Sequence, residues 1–276
     1  MHLSSMGAFN YNRPLAWAVL LGGAMTAMGN PQPKTGVFEV DLLFPRNETY
    51  APSQLMQIVF AAQNPTLAYG LYPIIYWELW QGNNRTSAGS VSDSIQLSLD
   101  NLTASDPFLM PSVVDTSAFP DGVWTLNWSV DVNNCTRTVE GQPQDMSGAT
   151  AFKAKPIVFT LSKSGVAPDL VAATSADKCA AAESFAFNVT EWGINCGVLG
   201  PSPTTNPCAA KLDSATASSI SAAATDHACN VWERPSYPNV TCPSPTSASS
   251  MGNPGMAVAS TLLVLLATLT TLLHFG

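Results

Sequence analysis

Phe119-Pro120-Asp121-Gly122-Val123-Trp124-Thr125-Leu126-Asn127-Trp128-Ser129-Val130-Asp131-Val132-Asn133-Asn134-Cys135-Thr136 runs from a turn, through a strict alternation, to a second turn that carries a cysteine. Asp121-Gly122 opens it, and glycine accepts the positive φ that a tight turn demands. Trp124, Leu126, Trp128, Val130 and Val132 then share one face of a strand. Val123, Thr125, Asn127, Ser129 and Asp131 share the other. The polar face holds a glycosylation sequon at Asn127, and a second, at Asn134, ends the run. The stretch predicts a β-strand with a core face and a solvent face, in a chain that passes through the secretory pathway. It predicts no reaction.

Outward from this strand, residues 37 to 161 read as short strands between turns. Phe38, Val40, Leu42 and Phe44 alternate with Glu39 and Asp41, which predicts a strand whose acidic face is wet. Leu55 to Ala61 is a second strand, broken by Asn64-Pro65. Leu71 to Trp80 is a third, apolar on both faces, with Leu71, Ile75, Trp77 and Leu79 on one side. Tyr72, Ile74, Tyr76 and Trp80 lie on the other, and Pro73 places its start at a sheet edge or a bulge. Ile95-Leu97-Leu99 and Ile157-Phe159-Leu161 complete the set. Strands and turns without a helical period predict an antiparallel β-sandwich over residues 30–164. The Asp-Gly-x-Trp entry is similar to the corner at which immunoglobulin-like domains enter their F strand, although their Cys-Trp-Cys framework is absent.

After Ser164 the composition shifts to Ala, Ser, Thr, Pro and Cys. Phe185 and Phe187 flank Ala186 in a short candidate strand. Residues 209–228 read as one Ala-rich helix with a thin stripe of Leu212, Ala215, Ile220 and Ala223-Ala224. The six cysteines (Cys135, Cys179, Cys196, Cys208, Cys229 and Cys242) are an even set in a secreted context and predict three disulfides, in any of 15 pairings. Cys135 is the only one within the sandwich. If all six pair, it ties residues 165–242 onto the sandwich as an extension rather than a second domain.

Both ends of the chain read as processing signals. Arg13, the apolar run Leu15 to Leu21 and Ala27-Met28-Gly29 form a secretory signal peptide over residues 1–29. Residues 243–255 are a Ser/Pro-rich linker, and 256–276 an uncharged apolar tail without the flanking Lys or Arg of a spanning helix. This is the layout of a glycosylphosphatidylinositol (GPI) anchor signal, with attachment at Ser250 or Ser247 and removal of the tail. The expected location is the cell surface, on the outer leaflet of the plasma membrane or in the wall. The net charge of −8 becomes one unit more negative when Arg13 is lost. Acidity without a basic patch excludes nucleic acid as a partner.

Several segments together resemble a family of fungal secreted proteins, many of them GPI-anchored, known only as a domain of unknown function. They are Glu39-Val40-Asp41-Leu42-Leu43-Phe44-Pro45-Arg46-Asn47-Glu48-Thr49-Tyr50-Ala51-Pro52, Ile58 to Asn64, the Trp124/Trp128 strand, and Asn206-Pro207-Cys208-Ala209 with Ala222-Ala223-Ala224. The resemblance implies a fungal cell-surface or wall setting and brings no catalytic residues with it.

Few residues suggest chemistry. His2 and His274 lie in segments expected to be removed, which leaves His227 on the Ala-rich helix. One imidazole supports neither a multi-histidine copper nor a zinc site, and no Gly-x-Ser-x-Gly elbow presents a nucleophile. No metal or cofactor is expected. Glu78, between Trp77 and Trp80, is the one candidate acid, because burial there would raise its pKa toward general-acid range. The competing expectation is an edge-strand carboxylate facing water. Tyr72, Tyr76, Trp77 and Trp80 are candidates for stacking on sugar rings, and Tyr69 adds to that density. Seven sequons, at Asn47, Asn84, Asn101, Asn127, Asn134, Asn188 and Asn239, predict a heavily glycosylated surface. The chain therefore reads as a non-enzymatic, GPI-anchored surface or wall glycoprotein, structural or in contact with wall polysaccharide. The rival expectation is a wall-polysaccharide enzyme working through carboxylates.

Overall fold

A computed structural model describes residues 35–97, 105–137, 143–153, 156–193 and 196–243. The expected signal peptide, Leu99, Asn101, and the anchor region with Ser247 and Ser250 lie outside them. The strands in chain order are β1 (Gly36–Phe44), β2 (Thr49–Tyr50), β3 (Met56–Gln63), β4 (Ile74–Gln81), β5 (Val91–Gln96) and β6 (Phe108–Val114). They continue as β7 (Gly122–Arg137), β8 (Pro143–Lys153), β9 (Ile157–Leu161), β10 (Glu183–Trp192) and β11 (Gly197–Leu199). Two helices lie late in the chain, α1 (Leu170–Ala173) and α2 (Ser214–Cys229).

β7 organises the fold, and its alternation holds. Trp124, Leu126, Trp128, Val130 and Val132 are all buried, and Asn127 and Ser129 are half-buried on the other face. At its entry Gly122 has φ 142°. A Cβ there would sit 2.9 Å from the Gln81 amide, so the turn needs glycine. The Trp124 indole N–H donates to the Pro120 carbonyl at 3.2 Å, and its ring stacks on Phe119 at 4.6 Å, which locks turn to strand.

One side of β7 pairs antiparallel with β4, and the other with β9 and then β8. β5 flanks β4, and β2 pairs parallel with β9. The second layer runs β6-β3-β1-β10-β11, antiparallel throughout. β11 then meets β7 in parallel, Gly197 opposite Asn134, so the layers join at a seam. Across the core, Trp128 of β7 lies 5.3 Å from Phe60 of β3 and 5.0 Å from Phe185 of β10, ring centre to ring centre. An indole buried this way removes roughly 150–250 Å² from water, worth about 4–6 kcal/mol before entropy.

The three disulfides are Cys135–Cys196, Cys179–Cys208 and Cys229–Cys242. Cys135 does reach the later part of the chain, and its bond lies at the β7–β11 seam. Cys208 and Cys229, which flank the helix, do not pair with each other.

Several elements differ from expectation for identifiable reasons. The expected boundary at Ser164 does not separate layers, because β10 pairs along the length of β1 in the middle of the second sheet. β6, which is not among the strands expected from the sequence, contains Pro111. The strand lies at the sheet edge, pairing only with β3, where a missing N–H is tolerated. β4 begins after Pro73 and is flanked on both sides, so it is not an edge strand. The helix begins at Ser214, capped by Asp213 accepting the Thr216 N–H at 2.7 Å. Its buried stripe is Ile220, Ala224 and Ala228, while Ala215 and Ala223 face water and Leu212 is buried ahead of the helix.

Candidate functional site

β4 presents Ile75, Trp77 and Leu79 to the core and Tyr76, Glu78 and Trp80 to the outer face of its sheet. Across the β4–β7 ladder Tyr76 faces Ser129, Glu78 faces Asn127 and Trp80 faces Thr125. This outer face is open, with Tyr76, Val123 and Val158 all exposed. Two of the four sugar-stacking candidates fail here. Trp77 is 2% exposed, directly opposite Trp128, and belongs to the core. Trp80 points outward yet is only 8% exposed, because the Arg85 guanidinium lies over its ring at 4.8 Å.

Arg85 also approaches Glu78 at 3.6 Å. Glu78 is thus a half-exposed carboxylate in an ion pair on an interior strand, neither a buried acid nor an edge residue. Glycoside hydrolysis needs two carboxyls about 5–9.5 Å apart. On this face Asp131 lies opposite Ile74, four residues along from Glu78, or roughly 13 Å at strand rise.

Three tyrosines are exposed at this end of the molecule. A 3-10 turn, Pro65–Gly70, leads into Leu71, Tyr72 and the start of β4. Tyr72 takes φ 43°, a left-handed conformation that costs a bulky residue about 1–3 kcal/mol. The surroundings hold it there. Its N–H donates to the Ala68 carbonyl at 3.0 Å, and the Leu71 carbonyl accepts from the Asn133 N–H at 2.7 Å. Leu71 is fully buried, and the Trp192 ring occupies the space a side chain on Gly70 would fill. The Tyr72 ring stands 6.5 Å from that of Tyr69, and Tyr76 lies four residues further along the chain, in β4, on the open face. Of the stacking candidates Tyr72 and Tyr76 are exposed, and Tyr69 is exposed beside them.

A second constellation lies on the other sheet, where Glu39 and Asp41 were expected to face water. Glu39 is 3% exposed and Asp41 is fully buried. The Gln63 side-chain amide donates to Asp41 Oδ2 at 2.7 Å, to the Asn206 carbonyl at 2.9 Å and, more weakly, to Glu39 Oε1 at 3.4 Å. Glu39 Oε1 also accepts the Asn206 backbone N–H at 2.7 Å. The loop around Asn206 therefore closes over the polar face of β1. Desolvation, then the hydrogen bond to Asp41 and its charge, push the Glu39 carboxyl up to about 8, against the opposing pull of the Asn206 N–H. Nearby Arg46 is buried, donating to the carbonyls of Ala173 at 3.2 Å and Leu42 at 3.2 Å. Nothing in β1 signals this burial, since the covering loop lies some 165 residues later in the chain. Two segments that carried the family resemblance, Glu39–Asp41 and Asn206–Ala209, are here in contact.

The glycosylation candidates separate by environment. Asn47, Asn84 and Asn239 are exposed. Asn127, Asn134 and Asn188 are half-buried, and the Asn134 side-chain oxygen accepts the Leu199 N–H at 3.2 Å in the seam. Asn47 also lines a cleft of about 510 Å³ with Arg46, Glu48, Asp177, Lys178 and Glu183. The Lys178 ammonium meets Glu48 there at 2.5 Å, in a half-exposed pair. His227 is an exposed helix residue 3.8 Å from Glu233.

The fold and its seams define a disulfide-stapled β-sandwich whose later segment supplies two strands and a cover. A family model described as a domain of unknown function (DUF7136) matches residues 33–242, and the chain belongs to that family. The match spans both the sandwich and the extension, in keeping with β10 and β11 being integral to the second sheet. No curated protein and no solved structure matches the chain.

Proposed function

We propose that this is a secreted, GPI-anchored fungal surface or wall glycoprotein, non-enzymatic, that contacts wall polysaccharide through Tyr69, Tyr72 and Tyr76. The amino-terminal leader, the Ser/Pro linker with its apolar tail and the seven sequons support the location. The observation that carries the contact surface is Tyr72. A bulky residue held in left-handed backbone beside an exposed ring is strain kept at a surface with no packing benefit to that side chain. Tyrosine suits sugars, with a flat ring for C–H faces and a hydroxyl for hydrogen bonds.

The test is depletion of purified glycoprotein by insoluble β-glucan and by chitin. Binding that falls at least five-fold in Tyr72→Ala with Tyr76→Ala, at unchanged melting temperature, supports the reading. Absence of binding, or binding indifferent to both substitutions, defeats it. The location is tested separately, by release from membranes with a phosphatidylinositol-specific phospholipase and by the mass of the mature carboxyl terminus. An intact apolar tail in the mature protein would refute GPI attachment.

A further inference from the structure

Trp232 is 83% exposed and its neighbour Val231 74%, whereas the other described indoles are buried or half-buried. They occupy the tip of the turn that follows α2. That turn is rigidly built. Asn230 Oδ1 accepts the Trp232 N–H at 3.0 Å, and the Asn230 carbonyl accepts from Glu233 at 3.1 Å and Arg234 at 2.9 Å. Cys229 at its base is bonded to Cys242, and the Arg234 guanidinium packs against both sulfurs. Beneath it, Tyr237 is buried with Ala228 and Val240, and its hydroxyl donates to the Val113 carbonyl of β6 at 2.8 Å. The apolar pair is therefore held outward by a disulfide, an asparagine turn and a buried anchor. An indole costs free energy in water, and a rigid turn forfeits the option of folding it away.

The occupant follows from where the chain leaves. Pro243, the last described residue, is adjacent to Cys242, which is bonded to the base of the same turn. Ser250 lies seven residues beyond Pro243, a reach of about 25 Å at full extension. A lipid attached there holds this end of the domain against the bilayer. Tryptophan favours the headgroup boundary, where an apolar ring and an N–H are both satisfied. Valine adds apolar area but has no chemistry for sugar recognition. Charges beside the turn are mixed, with Asp226 and Glu233 against His227 and Arg234, and the chain is acidic overall, which suits a zwitterionic rather than an anionic surface. We infer that the Val231–Trp232 turn is a membrane-interface contact, seating the anchored domain on a phosphatidylcholine-type surface. The inference rests on the anchor reading above.

The experiment uses the full glycoprotein with its anchor attached, reconstituted into phosphatidylcholine vesicles with or without chains brominated near the headgroup. Flotation reports anchoring, and bromine quenching of tryptophan emission reports contact. Co-flotation with quenching that Trp232→Phe reduces at least three-fold supports the inference. Co-flotation with equal quenching in both proteins overturns the contact and leaves the anchor standing. Failure to float overturns both. A blue shift of Trp232 emission on adding soluble glucan or chitin oligosaccharides without vesicles, absent in Trp232→Phe, would assign the turn to sugar and overturn the lipid assignment. Trp232 and Val231 lie largely in solvent, so Trp232→Phe should melt within about 1 °C of wild type.

Discussion

Replacing Glu39 by Gln should change how stability depends on pH, and the change can be sized. The Glu39 carboxyl titrates near 4.5 when unfolded and near 8 when folded. Between those values the folded state binds the extra proton, so stability falls as pH rises. The proton's contribution is fully present below about pH 4.5 and is lost as pH passes 8. Each pH unit between the two values is worth about 1.4 kcal/mol, so the window sets a ceiling of about 5 kcal/mol. Glu39→Gln keeps an oxygen for the Asn206 N–H and an N–H toward Asp41, but it cannot ionise. The assay is urea unfolding of both proteins at pH 5, 6, 7 and 8, with the difference between them cancelling the general repulsion of an acidic chain. Glu39→Gln should be near wild type at pH 5 and more stable by about 2–4 kcal/mol at pH 8. Parallel curves, with both proteins losing the same stability from pH 5 to 8, would refute the buried-acid argument.

Other consequences are checked more simply. Removing Cys135–Cys196 by serine substitution at both positions frees a 61-residue separation, against 13 for Cys229–Cys242. Chain entropy gives losses of about 4 and 3 kcal/mol, to be read by denaturant unfolding without reductant, and the reverse order would contradict it. Trp77→Ala should cost about 3–5 kcal/mol, since that ring is core; a melting temperature like wild type would return Trp77 to the surface. Tyr72→Gly should leave stability unchanged or raise it by up to about 1 kcal/mol while weakening glucan or chitin binding, because glycine relieves the left-handed backbone. Glycopeptide mass spectrometry should find Asn47, Asn84 and Asn239 occupied and Asn134 unoccupied. A fully glycosylated Asn134 would mean the seam is open when sugar is added.

Legibility in the sequence followed the range of the interactions. Trp124 to Val132 declared their face because the signal is the strand's own period of two, and tertiary structure agreed with it. The same rule applied to Val37–Phe44 found the core face and misjudged the other, since alternation cannot reveal whether a later loop covers Glu39 and Asp41. Pro111 hid β6, because a proline marks a break unless the strand is already known to be an edge. β8 lacks alternation altogether, and its pairing with β7 shifts register around Cys135. Glu78 sits on an interior strand rather than an edge because β7, whose Asn127 lies opposite it, closes the far side from much later in the chain, which the period of β4 cannot show. The cysteine arithmetic gave three bonds and the tie from Cys135, but only three-dimensional proximity could choose Cys196.

The two sheets differ in what the later part of the chain does to their outer faces. Over the second sheet the loop at Asn206 buries a carboxylate pair against Gln63, and α2 packs along β6. Glu39 and Asp41, so enclosed, are shut away from any substrate. The outer face of the β5-β4-β7-β9 sheet carries no such cover at Tyr76, Val123 and Val158. Of the acids on that face, Glu78 is paired with Arg85 and Asp131 lies roughly 13 Å away along the ladder, and Tyr72 is held in left-handed backbone. A sequon at Asn127 lies on that same face, two residues from Ser129, the partner of Tyr76. A glycan there and a wall polymer would compete for the same surface. Asn127→Gln should therefore strengthen binding to glucan or chitin if the tyrosine face is the contact. Binding that weakens, with Asn127 shown to be glycosylated in the wild type, would mean that the attached sugar makes the contact and the tyrosines do not.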